Sequence, residues 1–167
     1  MEDYIHSTGL IKHNYSDLKH VMTEESFTYS IEIYQQKLLD VLKQSHKNEY
    51  FIILEKDYVM YPILINISIL CLNMLCIKND IKDHNEIINS NQELFKMKNN
   101  DYGCSYEDFG LLGIIVRLND KINRIKVIIN KNTEQKVKDE NIKETINDLY
   151  NYCVIGLSYK FKNIDNL

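Results

Sequence analysis

Apolar and polar positions along this chain repeat almost everywhere with the period of an α-helix. From Thr23 to Ser45 the pattern predicts a helix, with Thr23 as N-cap and Glu25 and Ser26 in its first turn. Tyr58–Ile77, YVMYPILINISILCLNMLCI, carries no charge and predicts a long helix from about Tyr61 to Ile77. It is long enough for a bilayer, which needs about 20 apolar residues. Asn66 and Asn73, with Asp80 beyond them, instead form a polar stripe on one face, so a central helix of a soluble bundle is expected. On that reading Asn66→Leu and Asn73→Leu should be tolerated or alter ligand binding rather than drive membrane insertion. A helix over Asp83–Lys98 places Ile87, Ile88, Leu94, Phe95 and Met97 inward. A loop follows from Asn99 to Ser105, centred on Gly103, and then a helix from about Tyr106 to Asn130. A polar linker, NKNTEQKVKD, leads to a last helix over Glu140–Lys160. The patch YFIILEKDYVMY reads as a strand or a helix start.

These elements predict an all-α fold in a single domain spanning residues 1–167, with the last three helices as its core unit. The 167-residue length suffices for one buried core. Five glycines and one proline argue against a turn-rich β fold. The net charge of −4 gives no field that favours nucleic acid, so no direct nucleic-acid binding is expected. Heavy use of Ile, Asn, Lys and Tyr points to an AT-rich genome, viral or cellular, and makes any single Asn or Lys weak evidence. Cys71, Cys76, Cys104 and Cys153 form no CxxC pair and read as buried, reduced thiols. MEDYIHSTGL lacks the regions of a signal peptide, so a cytoplasmic protein without membrane contact is the expectation.

Two charged faces carry the candidate chemistry. Glu140, Glu144 and Asp148 follow at spacings of four, and Asn151 extends their face, opposite Ile142, Ile146, Leu149, Cys153 and Ile155. Acids at that spacing repel, which a divalent cation would offset, although a solvated helix face explains them too. One helix earlier, Arg117, Asp120, Lys121 and Arg124 also share a face, while Gly110 and Gly113 would permit close helix approach. Antiparallel packing of the two helices would bring Asp120 toward Glu144 and Asp148, with three cations beside them. Hard carboxylates suit Mg²⁺ or Mn²⁺, and guanidinium groups suit phosphate.

KNNDYG, FGLLGIIVRLNDKINRI and VKDENIKETINDLYNYCVIGL, in that order, resemble the nucleotide modification associated domain 1 family, over roughly residues 85–158. That family in turn resembles the MazG-type all-α NTP pyrophosphohydrolases. Residues 1–80 carry no such match and form an N-terminal helical extension. The family's loop falls on Lys98, Asn99, Asp101, Tyr102 and Gly103, its basic helix on Arg117, Asp120, Lys121 and Arg124, and its acidic block on Asp139, Glu140, Glu144, Asp148, Asn151 and Tyr152. Glu144 stands where Asp is usual. MazG enzymes carry Glu-x-x-Glu and then Glu-x-x-Asp, where this chain has Arg117-x-x-Asp120 and Thr145-x-x-Asp148.

The resemblance implies a metal-dependent nucleotide pyrophosphohydrolase acting on a dNTP or modified NTP. Asp120, Glu140, Glu144 and Asp148 would hold Mg²⁺, with Asp120, Glu144 and Asp148 catalytic. Lys98, Asn99, Asp101, Tyr102, Arg117, Lys121, Arg124 and Asn151 would bind the nucleotide, the cations without full local pairing. Asp101 as a helix cap and Tyr102 as a packing residue are the plain alternatives. The resemblance also implies a homo-oligomer. Two other functions stay open: a non-catalytic nucleotide-binding accessory protein, and a helical interaction protein in which Arg117 and Lys121 pair with Glu144 and Asp148.

Overall fold

The computed structural model describes residues 1–45, 60–102, 110–130 and 135–164. Six helices account for nearly all of these residues: α1 (Glu2–Asn14), α2 (Glu24–Ser45), α3 (Tyr61–Asn79), α4 (His84–Tyr102), α5 (Gly110–Asn130) and α6 (Gln135–Ile164). No strand occurs among the described residues, so the fold is all-α as the periodicity predicts. Most of the patch YFIILEKDYVMY, together with Gly103–Ser105 and Cys104 within it, lies outside the described residues.

Local signals set the helix ends. Thr23 Oγ1 accepts from the Ser26 amide at 3.1 Å, while Ser26 Oγ accepts from the Thr23 amide at 2.9 Å. Ser26 thus takes the part a Glu plays in a capping box and starts α2. Asp83 Oδ1 accepts from the Asn85 amide at 2.9 Å at the head of α4, and this bond holds the carboxyl below its usual range. At the other end of α3, Asp80 adopts φ 52 and ψ 44, and the Ile81 amide returns to the Cys76 carbonyl at 2.9 Å. That six-to-one bond is the Schellman termination, with Asp where Gly is usual.

Three boundaries differ from the sequence expectation. Residues 2–14 form a helix that the reading omitted; Tyr4, Ser7, Thr8 and Ile11 make its buried face, half of it polar, so the apolar period is faint. Asn99–Tyr102 continues α4 rather than opening a loop. Gln135–Asp139 continues α6 rather than belonging to a linker, since residues 135–142 contain neither Gly nor Pro to stop it.

α3 is the central helix. It packs against α1, α2, α4 and α6, while α5 packs against α6 and α2. Length and composition alone would let α3 cross a membrane, yet most of it is buried by its neighbours. Its Leu64, Ile67, Cys71 and Leu72 meet Ile115, Leu118, Ile122 and Ile125 of α5 and Ile142, Ile146 and Leu149 of α6 in one core, all of them at 0% exposure. A Cβ on Gly156 of α6 would stand 3.0 Å from Leu64 Cδ1 and 3.4 Å from Ile114 Cγ2, so this glycine lets three helices meet. Cys71, Cys76 and Cys153 are buried free thiols, and burial raises the pKa of each.

The expected polar stripe on α3 separates into different roles. Asn66 is half-buried and Asp80 is exposed, but Asn73 is fully buried. Its Oδ1 accepts from the Leu18 amide (2.9 Å) and the Tyr15 hydroxyl (3.0 Å), and its Nδ2 donates to the Ser16 and Ile69 carbonyls (both 2.9 Å). One side chain thereby clamps the α1–α2 connection onto the core. Tolerance of Asn73→Leu is therefore the wrong expectation. Tyr15 also stacks on His84, their centroids 3.5 Å apart, which ties the same connection to α4. On α4, Ile87, Ile88 and Phe95 are buried as expected, whereas Leu94 and Met97 are exposed, and Asn91 takes the inward position between Ile88 and Phe95.

Candidate functional site

α5 and α6 pack side by side over most of their lengths, and the sequence blocks that carry charge lie along their outer seam. Ile114, Leu118, Ile122, Ile125 and Ile128 turn α5 inward, which leaves Arg117, Asp120 and Arg124 exposed and Lys121 at the margin. On α6, Ile142, Ile146, Leu149 and Cys153 face the core, so Glu140 and Glu144 are exposed and Asp148 sits at the edge. Lys121 Nζ donates to Asp148 Oδ2 at 2.7 Å across the seam.

This contact fixes the register: in an antiparallel pair anchored at 121 and 148, Arg124 lies level with Glu144, and Arg117 with Tyr152. Arg117, Asp120, Arg124, Glu140 and Glu144 form no ion pair among the described residues. Lys121 does, as the interaction-protein alternative expects of it and against the expectation that Arg117 and Lys121 lack full local pairing. Asp139, one residue before the acidic ladder, points elsewhere. It meets Lys78 of α3 at 3.3 Å, and Lys78 also holds Glu24 of α2 at 2.7 Å. Burial alone would lower the Lys78 pKa, but the two carboxylates outweigh it and the net shift is upward.

The remaining predicted residues divide. Lys98 is exposed on α4. Asn99, Asp101 and Tyr102 are helical in backbone, so Asp101 does not sit in a loop before α5, and their side chains lie outside the described residues. Asn151 is engaged in the interior: its Oδ1 accepts from the Tyr4 hydroxyl at 2.6 Å and its Nδ2 donates to Asn91 Oδ1 at 2.6 Å. That places it in a hydrogen-bond network that links α1, α4 and α6. Burial drives the Tyr4 phenol well above its usual pKa, consistent with a permanent donor.

The acids do not form a ready-made metal cage. Among the described residues no three His, Cys, Asp or Glu side chains gather closely enough to hold an ion. Glu140, Glu144 and Asp148 are spaced roughly 6 Å apart along the axis, a ladder rather than a cluster. Mg²⁺ commonly needs only one or two carboxylates when substrate phosphates and water complete its shell, and the donor chemistry of Glu144 and Asp148 fits that mode.

Beside the ladder, between α6, α4 and the end of α3, runs an open groove of about 480 Å³. Glu144 lines it together with Lys143, Asn147, Asn91, Asn79 and the apolar Leu75, Ile81 and Ile87. Sequence reasoning missed this groove because it discounted single asparagines. The available signal was Asn91, which interrupts an apolar stripe at an inward position.

Residues 98–158 match the family model for nucleotide modification associated domain 1. The matched segment contains the end of α4, all of α5 and most of α6, and so both walls of the charged seam and one wall of the groove. No curated protein and no solved structure matches the chain.

Proposed function

We propose that this chain binds the phosphates of a nucleoside triphosphate along the α5–α6 seam and hydrolyses it, as a dNTP or base-modified NTP pyrophosphohydrolase. The observation that carries the reading is the Lys121–Asp148 contact. It joins the basic block of α5 to the acidic block of α6, two blocks of the matched segment that are separated in sequence. Arg117, Lys121 and Arg124 offer guanidinium and ammonium donors to phosphate oxygens. Mg²⁺ or Mn²⁺ carried in with the phosphates would be shared by Glu144 and Asp148, with Glu140 and Asp120 flanking, and would neutralise charge there. Glu144, without an ion-pair partner among the described residues, is left to take the proton of the attacking water. The products are a nucleoside monophosphate and pyrophosphate. A self-associating protein goes with this reading through the family resemblance.

Incubation with canonical and base-modified (d)NTPs plus Mg²⁺, read by pyrophosphate release, is the direct test. Turnover that disappears in Glu144→Gln supports the reading, and absence of turnover with every substrate overturns its catalytic half. The second reading, a nucleotide-binding protein without turnover, is favoured by Arg117 standing where MazG enzymes have an acid. Calorimetric binding of the same nucleotides without pyrophosphate release would establish it.

A further inference from the structure

The groove beside Glu144 contains a hydrogen-bond chain whose direction is fixed by its own geometry. Asn151 Nδ2 donates to the Asn147 carbonyl at 3.0 Å and to Asn91 Oδ1, so its amide cannot be reversed without placing an oxygen against a carbonyl. Asn91 Nδ2 likewise donates to the Ile87 carbonyl at 3.0 Å and to Asn147 Oδ1 at 2.8 Å. Both hydrogens of each amide are used. Tyr4, whose hydroxyl meets only the accepting oxygen of Asn151, must donate. The chain therefore runs Tyr4 → Asn151 → Asn91 → Asn147 and consumes the oxygen of Asn147.

The end of this relay is a donor. Asn147 Nδ2 has no partner among the described residues, and Asn147 lines the groove. Aligned hydrogen bonds polarise one another, which strengthens the terminal N–H as a donor. Across the groove, Asn79 Nδ2 donates to the Leu75 carbonyl at 2.8 Å, which fixes that amide and leaves its Oδ1 as an acceptor. Leu75, Ile81 and Ile87 add apolar surface to the groove's lining. The volume of about 480 Å³ falls in the range of small-ligand sites, about 300–1,000 Å³.

From this geometry we infer that the groove is the base-binding half of the nucleotide site and selects bases with a lactam edge, a ring carbonyl beside a ring N–H. The carbonyl accepts from Asn147 Nδ2 and the N–H donates to Asn79 Oδ1. Uracil, thymine and guanine have such an edge, and adenine does not. The inference rests on the nucleotide reading and extends it to base choice. Glu144 lies between groove and seam, so a nucleotide with its base against Asn147 directs its phosphates across α6 toward Lys121 and Arg124.

Nucleosides and inorganic triphosphate, titrated separately against the full chain, test the two halves independently. Thymidine and deoxyguanosine should bind at least about tenfold more tightly than deoxyadenosine, the scale of one well-placed hydrogen bond with an unmet partner in the alternative. Asn147→Asp keeps the oxygen that Asn91 needs and replaces the donor by an acceptor. It should remove the thymidine preference, whereas triphosphate binding should weaken by no more than about threefold through the added charge. Asn79→Leu, at an exposed position outside the relay, is the second variant and should weaken thymidine about tenfold. Equal affinity for thymidine and deoxyadenosine, or full thymidine affinity in both folded variants, overturns the inference. Triphosphate binding without any nucleoside binding defeats the groove assignment alone. Nucleoside binding sensitive to Asn147 with no contribution from phosphate defeats the seam reading and leaves the groove assignment standing.

Discussion

Replacing Lys121 by Met separates a phosphate-binding role from a purely structural one. The ammonium lies 2.7 Å from Asp148 Oδ2, and the two side chains retain 20% and 34% of their accessible surface. A charge-assisted bond in this partly screened setting is worth about 1 kcal/mol, above a typical exposed ion pair and below a fully buried one. Met keeps the aliphatic stem, so most of the loss reports the charge. For a domain of this size that corresponds to a fall of about 2–4 °C in Tm. Asp148→Asn should cost a similar amount, and the double variant little more than either, giving a coupling near 1 kcal/mol.

Nucleotide affinity then reads the function. A bound phosphate and Asp148 compete for one ammonium, so Lys121→Met should weaken nucleotide binding about tenfold. Asp148→Asn should divide by condition. In EDTA it frees Lys121 and removes a like charge, and the nucleotide should bind about threefold more tightly, as expected for a screened repulsion of under 1 kcal/mol. With Mg²⁺ it removes a carboxylate that shares the ion, and binding should weaken. Calorimetry on parent and variants under both conditions gives the comparison. Unchanged affinity in Lys121→Met, with stability loss alone, would make the pair structural and refute the seam as a phosphate site.

Five other substitutions test the fold. Asn73→Leu strands the Leu18 amide and the Ser16 carbonyl and should cost about 3 kcal/mol by urea melting, whereas Asn66→Leu should be close to neutral. Asp80→Gly relieves a left-handed residue at φ 52 and should stabilise by about 0.5–1 kcal/mol, read as a higher Tm. Tyr150 is fully buried, and its hydroxyl has no partner among the described residues, so Tyr150→Phe should raise stability by about 1 kcal/mol. His84 has its pKa lowered, first by burial and then by Lys19 and Lys12, against an opposing pull from Asp83 and Asp17. Its neutral form is the one the fold prefers, so stability is full above the unfolded pKa and declines as pH falls below it. His84→Phe keeps the stack on Tyr15 and should flatten the Tm-versus-pH curve between pH 7.5 and 5.

What the sequence disclosed follows from where its signals are strong. Helix α5 was readable because Ile114, Leu118, Ile122, Ile125 and Ile128 repeat at three and four with charges between them. α6 was readable for the same reason from Ile142 to Cys153. α1 was not, because its buried face mixes Tyr4 and Ile11 with Ser7 and Thr8, whose hydroxyls satisfy themselves on the Asp3 and Ile5 carbonyls. Such local bonding lets a polar residue be buried without leaving an apolar trace. The charged seam was legible for a related reason: spacing along one helix fixes which charges share a face, and packing had only to bring two such faces together. Pairing across helices is a different quantity. Nothing in a one-dimensional period says that Lys121 meets Asp148, that Asp139 turns to Lys78, or that Asn151 turns inward to Tyr4.

The asparagines show why this distinction bears on function. In a chain this rich in Asn, composition gives no reason to single out Asn91, Asn147 or Asn151. Their meaning lies in the order in which they donate, which exists only once α1, α4 and α6 are assembled. That order starts at Tyr4, outside the matched segment of residues 98–158, and ends at the groove. The N-terminal helix thereby satisfies the Asn151 oxygen at the far end of a chain that reaches the groove wall. A domain defined by the matched segment alone would retain Asn147 and Asn151 but lose both Asn91 and Tyr4, so its groove amide would no longer be held in one orientation.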